Sequence, residues 1–281
     1  MTSTQKELFD RLERFYDAVP RDVAHTETFG GLVLFVRDGA GWPFYARPRL
    51  DATESPSAAD VADVRQRQRE LGLPEAFEWV HENHPDLLAV ARSAGLSVLE
   101  APLMVLDPAA LVSADELASL PVRILDPAAP GFAADIAARR AVAAVGFAAP
   151  GTAVGGAGPA ARDTALIELP LDALDEERTR TIAGHRVSAL VETQPEGAVA
   201  SGMALRVDDV AEIAGIATLP SARRRGLGAA VTAALARQLL DDGTDLVFLS
   251  AGSEEIARVY LRVGFRRIGT ACIAEPTPVR G

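Results

Sequence analysis

The residues from Glu212 to Val231 combine types and spacing that can hold an anion. An apolar, strand-like run, Ala211–Leu219, passes through Pro220 into Arg223, Arg224, Arg225, Gly226, Leu227 and Gly228. An amphipathic helical pattern then runs over Arg225–Leu240. A helix N-terminus leaves backbone N–H groups unpaired and carries partial positive charge, and glycines there let a ligand approach the backbone closely. Such a turn suits a phosphate or pyrophosphate. Three arginines at that end oppose the helix dipole, at a cost of a few tenths of a kcal/mol or more, unless an anion sits there. The plainer reading is a solvated basic turn ahead of an ordinary helix.

A second element decides between these readings. Ser253-Glu-Glu-Ile-Ala-Arg-Val-Tyr260-Leu-Arg-Val-Gly264-Phe265 is a helical run ending in Tyr-x-x-x-Gly-Phe. With Arg223-x-x-Gly226-x-Gly228 upstream, it resembles the GNAT superfamily of acetyl-CoA-dependent N-acetyltransferases in motif, order and separation. The resemblance covers residues 185–275 well and 122–184 more loosely. It implies that the turn from Arg223 through Arg224, Arg225, Gly226 and Leu227 to Gly228 holds the pyrophosphate of CoA. Ile216, Ala217 and Thr218 would follow the pantetheine arm, Ile216 and Thr218 pairing with it through main-chain groups. Tyr260 matches the family's general acid for the departing thiolate, a role compatible with a phenol pKa near 10; a tyrosine on an apolar helix face is also commonly just core. Ser253 stands where the family often has an asparagine that contacts CoA, but helix N-capping suits a serine better. Glu212 lies where some members keep a carboxylate base; a solvated strand-start residue is the alternative.

The elements that must position these groups are readable from periodicity. Strands are expected at Arg186–Thr193, Ala198–Val207, Ala211–Leu219, Leu246–Ser250 and Phe265–Glu275, the first two joined by the turn Gln194–Gly197. Helices are expected over Arg225–Leu240 and Ser253–Val263. Upstream, Ala133–Val145 and Asp172–Ile182 read as helices, with a Gly/Ala/Pro-rich loop at Ala148–Arg162 that is flexible over Gly151–Gly158; Thr164–Leu169 is a short strand or the lead into the next helix. This order predicts a mixed, mostly antiparallel twisted sheet flanked by helices, an α/β (α+β) fold of GNAT type.

Proline clusters at Pro108, Pro121, Pro127 and Pro130 place a domain boundary near residues 118/119. The expected domains are 1–118, an accessory α+β domain or degenerate GNAT repeat, and 119–281, the transferase domain. In the first, residues 1–20 and Ala58–Leu71 read as helices. Gly31–Val36 and Trp42–Tyr45 read as a hairpin about a turn at Asp38–Gly41. Helical runs follow at Glu75–His81 and Asp86–Ser93, then Gly95 as a C-cap and a strand at Leu96–Leu106. Residues 73–104 resemble a degenerate closing unit of the GNAT fold without the tyrosine, and no Arg-x-x-Gly-x-Gly element precedes them.

A net charge of −11 disfavours nucleic acid as a partner and suits a cationic small substrate. No apolar run is long enough to span a membrane, and the polar start lacks signal-peptide order, so a cytoplasmic protein is expected. One cysteine, Cys272, excludes an internal disulfide and a thiolate cage. His81 and His84 are broken from helical alignment by Pro85, so no metal is expected. The expected activity is transfer of acetyl from acetyl-CoA, with no metal, to a small-molecule or peptide amine by direct attack in a ternary complex; a homodimer is allowed. The alternative is a non-catalytic acyl-CoA-binding sensor or assembly module.

Overall fold

The computed structural model describes residues 2–39, 41–113 and 120–277. The chain forms two compact units, residues 1–103 with 268–281, and residues 104–267. The expected boundary at 118/119 lies in 114–119, outside the described residues.

The first unit carries α1 (Ser3–Ala18), β1 (Ala24–Phe29), β2 (Leu32–Arg37), β3 (Arg47–Pro48), α2 (Ala58–Glu70), β4 (Phe77–Val80), α3 (Leu87–Ser93) and most of β5 (Leu96–Leu106). The second carries β6 (Val122–Ile124), α4 (Phe132–Phe147), α5 (Pro159–Thr164), α6 (Leu171–Ile182), β7 (Arg186–Thr193), β8 (Gly197–Val207), β9 (Val210–Thr218), α7 (Leu227–Asp241), β10 (Leu246–Ser250) and α8 (Glu254–Val263). It also holds the start of β11 (Phe265–Pro276), which continues into the first unit.

In the second unit the strand order is β10-β9-β8-β7-β6, antiparallel except for the parallel pair β9–β10. Helix α7 buries Leu227, Val231, Leu235 and Leu239, each at most 2% exposed, in one four-residue register. Strands β7 and β8 supply fully buried Leu190, Val191, Val199 and Ala200 to the same core. This packing holds the strand–turn–helix β9–α7 rigidly. Gly264 closes α8 at φ +119, and a Cβ there would lie 2.5 Å from the Ala110 carbonyl oxygen. Both facts demand glycine at the end of the Tyr-x-x-x-Gly motif.

Two expectations for the first unit fail. Residues 75–81 are not helical: Phe77–Val80 is a strand, buried at all four positions and paired antiparallel with β11 from Phe77↔Ala274 to Val80↔Ala271. Four buried residues after Pro74, bulky at three, suit a short strand covered on both faces better than a helix. The hairpin is also displaced: β1 pairs with β2 about Gly30 and Gly31, and Trp42–Tyr45 is not a strand. Strand β1 is legible only poorly because its Ala-His-Thr-Glu-Thr-Phe sequence is mostly exposed and polar. The expected turn at 38–41 includes residue 40, outside the described residues. In the second unit Val122–Ile124 is a strand where only a linker was expected.

A buried carboxyl in the first unit gives a pH signature. Glu13 on α1 is 4% exposed and accepts a hydrogen bond from Val80 N–H at 2.8 Å. Burial pushes its pKa up to about 7, against the opposing pull of the Val80 N–H and Arg47. A raised carboxyl pKa contributes stability that is full below the unfolded value and lost as pH rises through about 7. At pH 8 the cost is roughly 3 kcal/mol. Glu13→Gln keeps the accepting oxygen and removes the ionisation, so it raises Tm over wild type at pH 8 and changes it little at pH 5. A Tm difference independent of pH in thermal melts would overturn this account.

Candidate functional site

The turn between β9 and α7 is built as an open cradle of backbone N–H groups. A 3-10 turn at Pro220–Ala222 leads to Arg224 at φ +65 and Gly226 at φ +78, with Arg225 between them. Left-handed backbone at a non-glycine residue is strained, and a run of such turns aims successive N–H groups into one concavity. Gly226 is the N-cap of α7 and no side chain caps the helix. Among the described residues, the N–H groups of Arg224, Arg225, Gly226, Leu227, Gly228 and Ala229 have no hydrogen-bond acceptor. Six orphan donors at one helix start call for water or an anion.

The three arginines divide. Arg223 points away from the cradle, donating to the carbonyls of Gly146 at 2.9 Å, Ala149 at 2.5 Å and Ala153 at 3.2 Å. It ties the C-terminal end of α4 to the turn. Arg224 and Arg225 are exposed, Arg224 lying 3.9 Å from Glu255 and Arg225 2.9 Å from Glu196. Glu196 is held below its usual pKa by Arg225 and Thr193. The loop expected to be flexible at 151–158 is pinned here: Gly155 N–H donates to the Pro220 carbonyl and Ser221 N–H to that of Ala157.

Strand β9 opens beside the cradle. It pairs with β10 only from Val210↔Leu246 to Glu212↔Phe248, so its second half has no ladder on that side. Leu219 N–H donates to the Val199 carbonyl of β8, and main-chain direction alternates along a strand, which turns the groups of Thr218 and Ile216 to the open side. A Cβ on Gly228 would stand 3.7 Å from Thr218 Oγ1 and 3.8 Å from Ile216 Cγ2, so these side chains face the helix start. Ala217 points to the opposite face, against Gly146 of α4.

Gly215 changes the phase of the strand. At φ +63 it forms a bulge, with the β8 register shifting between Ser201↔Ala217 and Met203↔Ala214. Simple alternation would put Glu212 on the face of Ile216 and Thr218. The bulge puts it on the other, half-buried and opposite Leu205. An isolated glycine inside a strand pattern is the signal that could have revealed this. Nothing in the sequence marks Glu196, Glu255 or the carbonyls held by Arg223.

Ser253 is the N-cap of α8, its Oγ accepting from Ile256 N–H at 3.2 Å. Tyr260 is 7% exposed, its ring 6.2 Å from that of Phe265. Burial pushes its pKa up to about 12. Cys272, in the first unit, is a buried core thiol. Among the described residues no group of His, Cys, Asp and Glu could hold a metal ion, and no helix is long and apolar enough to cross a membrane.

Residues 190–274 match the family model of FR47-like proteins. No curated protein matches the sequence. Among solved structures, a GCN5-related N-acetyltransferase from Kribbella flavida is similar at TM-score 0.68 and 21% identity, over 96% of both chains. A protein described as a GNAT-family acetyltransferase from Novosphingobium aromaticivorans is similar at TM-score 0.51 and 15% identity, over 92% of this chain and 93% of that one. A tandem GNAT protein of the clavulanic acid pathway is similar at TM-score 0.50 and 14% identity, over 88% of this chain and 79% of that one. The chain has the mixed, mostly antiparallel fold of the GNAT superfamily, with its FR47-like segment running from β7 to β11.

Proposed function

We propose that the second unit is an N-acetyltransferase (EC 2.3.1.-) moving an acetyl group from acetyl-CoA to an amine by direct attack in a ternary complex. The observation that carries this reading is the set of six acceptor-free N–H groups from Arg224 to Ala229, with Arg224 and Arg225 exposed beside them. These groups would hold the pyrophosphate, and the main chain of Ile216 and Thr218 the pantetheine arm. Acetyl-CoA supplies an activated thioester. Glu212 would take the proton of the incoming amine, directly or through water, from the opposite face of β9. Tyr260 would donate to the departing sulfur.

A phenol pKa of about 12 refines that last role. Full transfer to a thiolate whose conjugate acid has a pKa near 8.5 is uphill by roughly 5 kcal/mol. Tyr260 therefore acts mainly as a hydrogen-bond donor while charge builds on sulfur. The same burial favours the second reading, an acyl-CoA-binding module with a core tyrosine.

After β6, the second unit repeats the first unit's order of elements: one or more helices, three strands, then helix–strand–helix–strand. Helix α2 is the counterpart of α7, but its start is filled. Ser57 Oγ accepts from Asp60 N–H at 3.2 Å, and Asp60 Oδ2 accepts from Ser57 N–H at 2.9 Å and Gly31 N–H at 3.1 Å. A capping box with an added carboxylate leaves no place for phosphate. The first unit thus reads as a degenerate repeat without a cofactor site. Titration calorimetry on the full chain should give one acetyl-CoA per polypeptide and no heat with NADH or ATP. Two equivalent sites would overturn the reading of the first unit, and no site that of the second.

A further inference from the structure

The face of the sheet opposite α7 carries a second polar cluster. Gly202 faces α7, since a Cβ there would meet Val231 and Leu235. Its neighbours Ser201 and Met203 face α4: Ser201 Oγ donates to the Arg139 carbonyl, and Arg139 Nη1 lies 3.0 Å from Met203 Sδ. Cross-strand partners share a face. Arg186, Leu205 and Glu212 therefore form one row across β7, β8 and β9, and Ser188, Met203 and Ala214 the next. Arg186, Met203, Leu205, Glu212, Ala214 and Gly215 are all partly exposed, forming a floor beside the β9 bulge.

At one side of this floor two guanidiniums share one carboxylate oxygen. Glu177 Oε1 of α6 accepts from Arg186 Nη1 at 2.6 Å and from Arg139 Nη2 at 3.3 Å. Arg139 Nε, Arg186 Nε, Glu177 Oε2 and Ser188 Oγ are buried and have no hydrogen-bond partner among the described residues. A clamp built only to fasten α6 to the sheet would use both carboxylate oxygens in a fork. Here both arginines keep an unpaired Nε and the trio has net charge +1. Burial lowers the Arg139 pKa to about 10, so it stays charged at neutral pH, and Glu177 is held ionised by Arg186 and Arg139 despite its burial.

We propose that Arg139 and Arg186 bind the carboxylate of the acceptor, which is a primary amine carrying a carboxylate a few bonds away, such as an ω-amino acid or a short peptide. The inference rests on the transferase reading for the placement of the amine. A Cβ on Gly215 would be 3.7 Å from Met203 Cγ, and Met203 in turn contacts Arg139, so one side chain separates the bulge from the guanidinium. Glu212 and Arg186 are two strand spacings apart, roughly 10 Å. The floor between them is apolar, matching a methylene chain.

The test uses the full chain saturated with CoA, titrated calorimetrically with δ-aminovalerate and with its primary amide. The carboxylate should bind at least tenfold tighter than the amide. Arg186→Gln should remove that preference while CoA affinity stays unchanged, and Arg186→Lys, which keeps the charge but not the fork, should restore part of it. Equal affinities for acid and amide, binding of neither by a protein that binds CoA, or a preference that survives Arg186→Gln would each overturn the proposal. Absence of CoA binding would instead overturn the transferase reading; δ-aminovalerate binding that still depends on Arg186 would then leave the carboxylate subsite standing alone.

Discussion

Replacing Gly226 by valine should abolish the stabilisation of the protein by acetyl-CoA. A ligand at a hundred times its Kd stabilises the native state by about 2.7 kcal/mol. For a domain of this size that raises Tm by roughly 5–10 °C. Gly226 is the α7 N-cap at φ +78. A β-branched residue in left-handed backbone costs about 1–2 kcal/mol, and relaxing that strain rotates the N–H groups out of their common concavity. The nearest atom to a Cβ there, Leu120 Cδ1, is 3.6 Å away, so the variant has space to fold. Its basal Tm should fall by a few degrees and its response to acetyl-CoA should vanish. Arg224→Gly is the complement. It relieves the strain at φ +65 and keeps every N–H, so basal stability should rise while the acetyl-CoA response persists, reduced by one lost charge. A full acetyl-CoA shift in Gly226→Val, read by scanning fluorimetry, would remove this turn as the cofactor site.

The second large effect concerns Tyr260. Tyr260→Phe keeps the ring against Phe265 and removes only the hydroxyl. Acetyl-CoA affinity should hardly change, and the single-turnover rate should fall by roughly 10²–10³, the scale for losing a positioned proton donor. A loss in rate with binding intact marks an interaction made chiefly in the transition state. If the hydroxyl serves no chemistry, the variant is a packing substitution with a near-normal rate, whereas the acyl-CoA-binding alternative expects no turnover in either protein. Slow hydrolysis of acetyl-CoA, followed as free thiol, provides the rate before an acceptor is known.

These predictions depend unequally on what the chain declares locally. The β9–turn–α7 motif is legible because its physics is local: glycines at fixed offsets, arginines against a helix dipole, and a four-residue apolar register that a single helix face requires. The second motif is legible for the same reason, with Gly264 forced by its own φ and Ser253 by the capping of α8. Strands β7, β8 and β10 follow from apolar runs between turn residues.

Other features arise only when distant segments meet. Arg223 sits in the same motif as Arg224 and Arg225, yet its charge goes to carbonyls contributed by residues 146–153. Strand β4 resembles a helical run until its pairing with β11 is known, because four buried residues satisfy either period. The face of Glu212 depends on a bulge whose register is fixed by β8. The Arg139–Glu177–Arg186 cluster joins α4, α6 and β7, which no spacing in the chain relates. The sequence by itself determined the turn between β9 and α7 and the helices and strands that carry it, since backbone conformation and periodicity act over a few residues. Tertiary structure alone decided which charges face that turn and what lies across the strand from it, since ion pairs and sheet register are set by contacts between segments far apart in the chain.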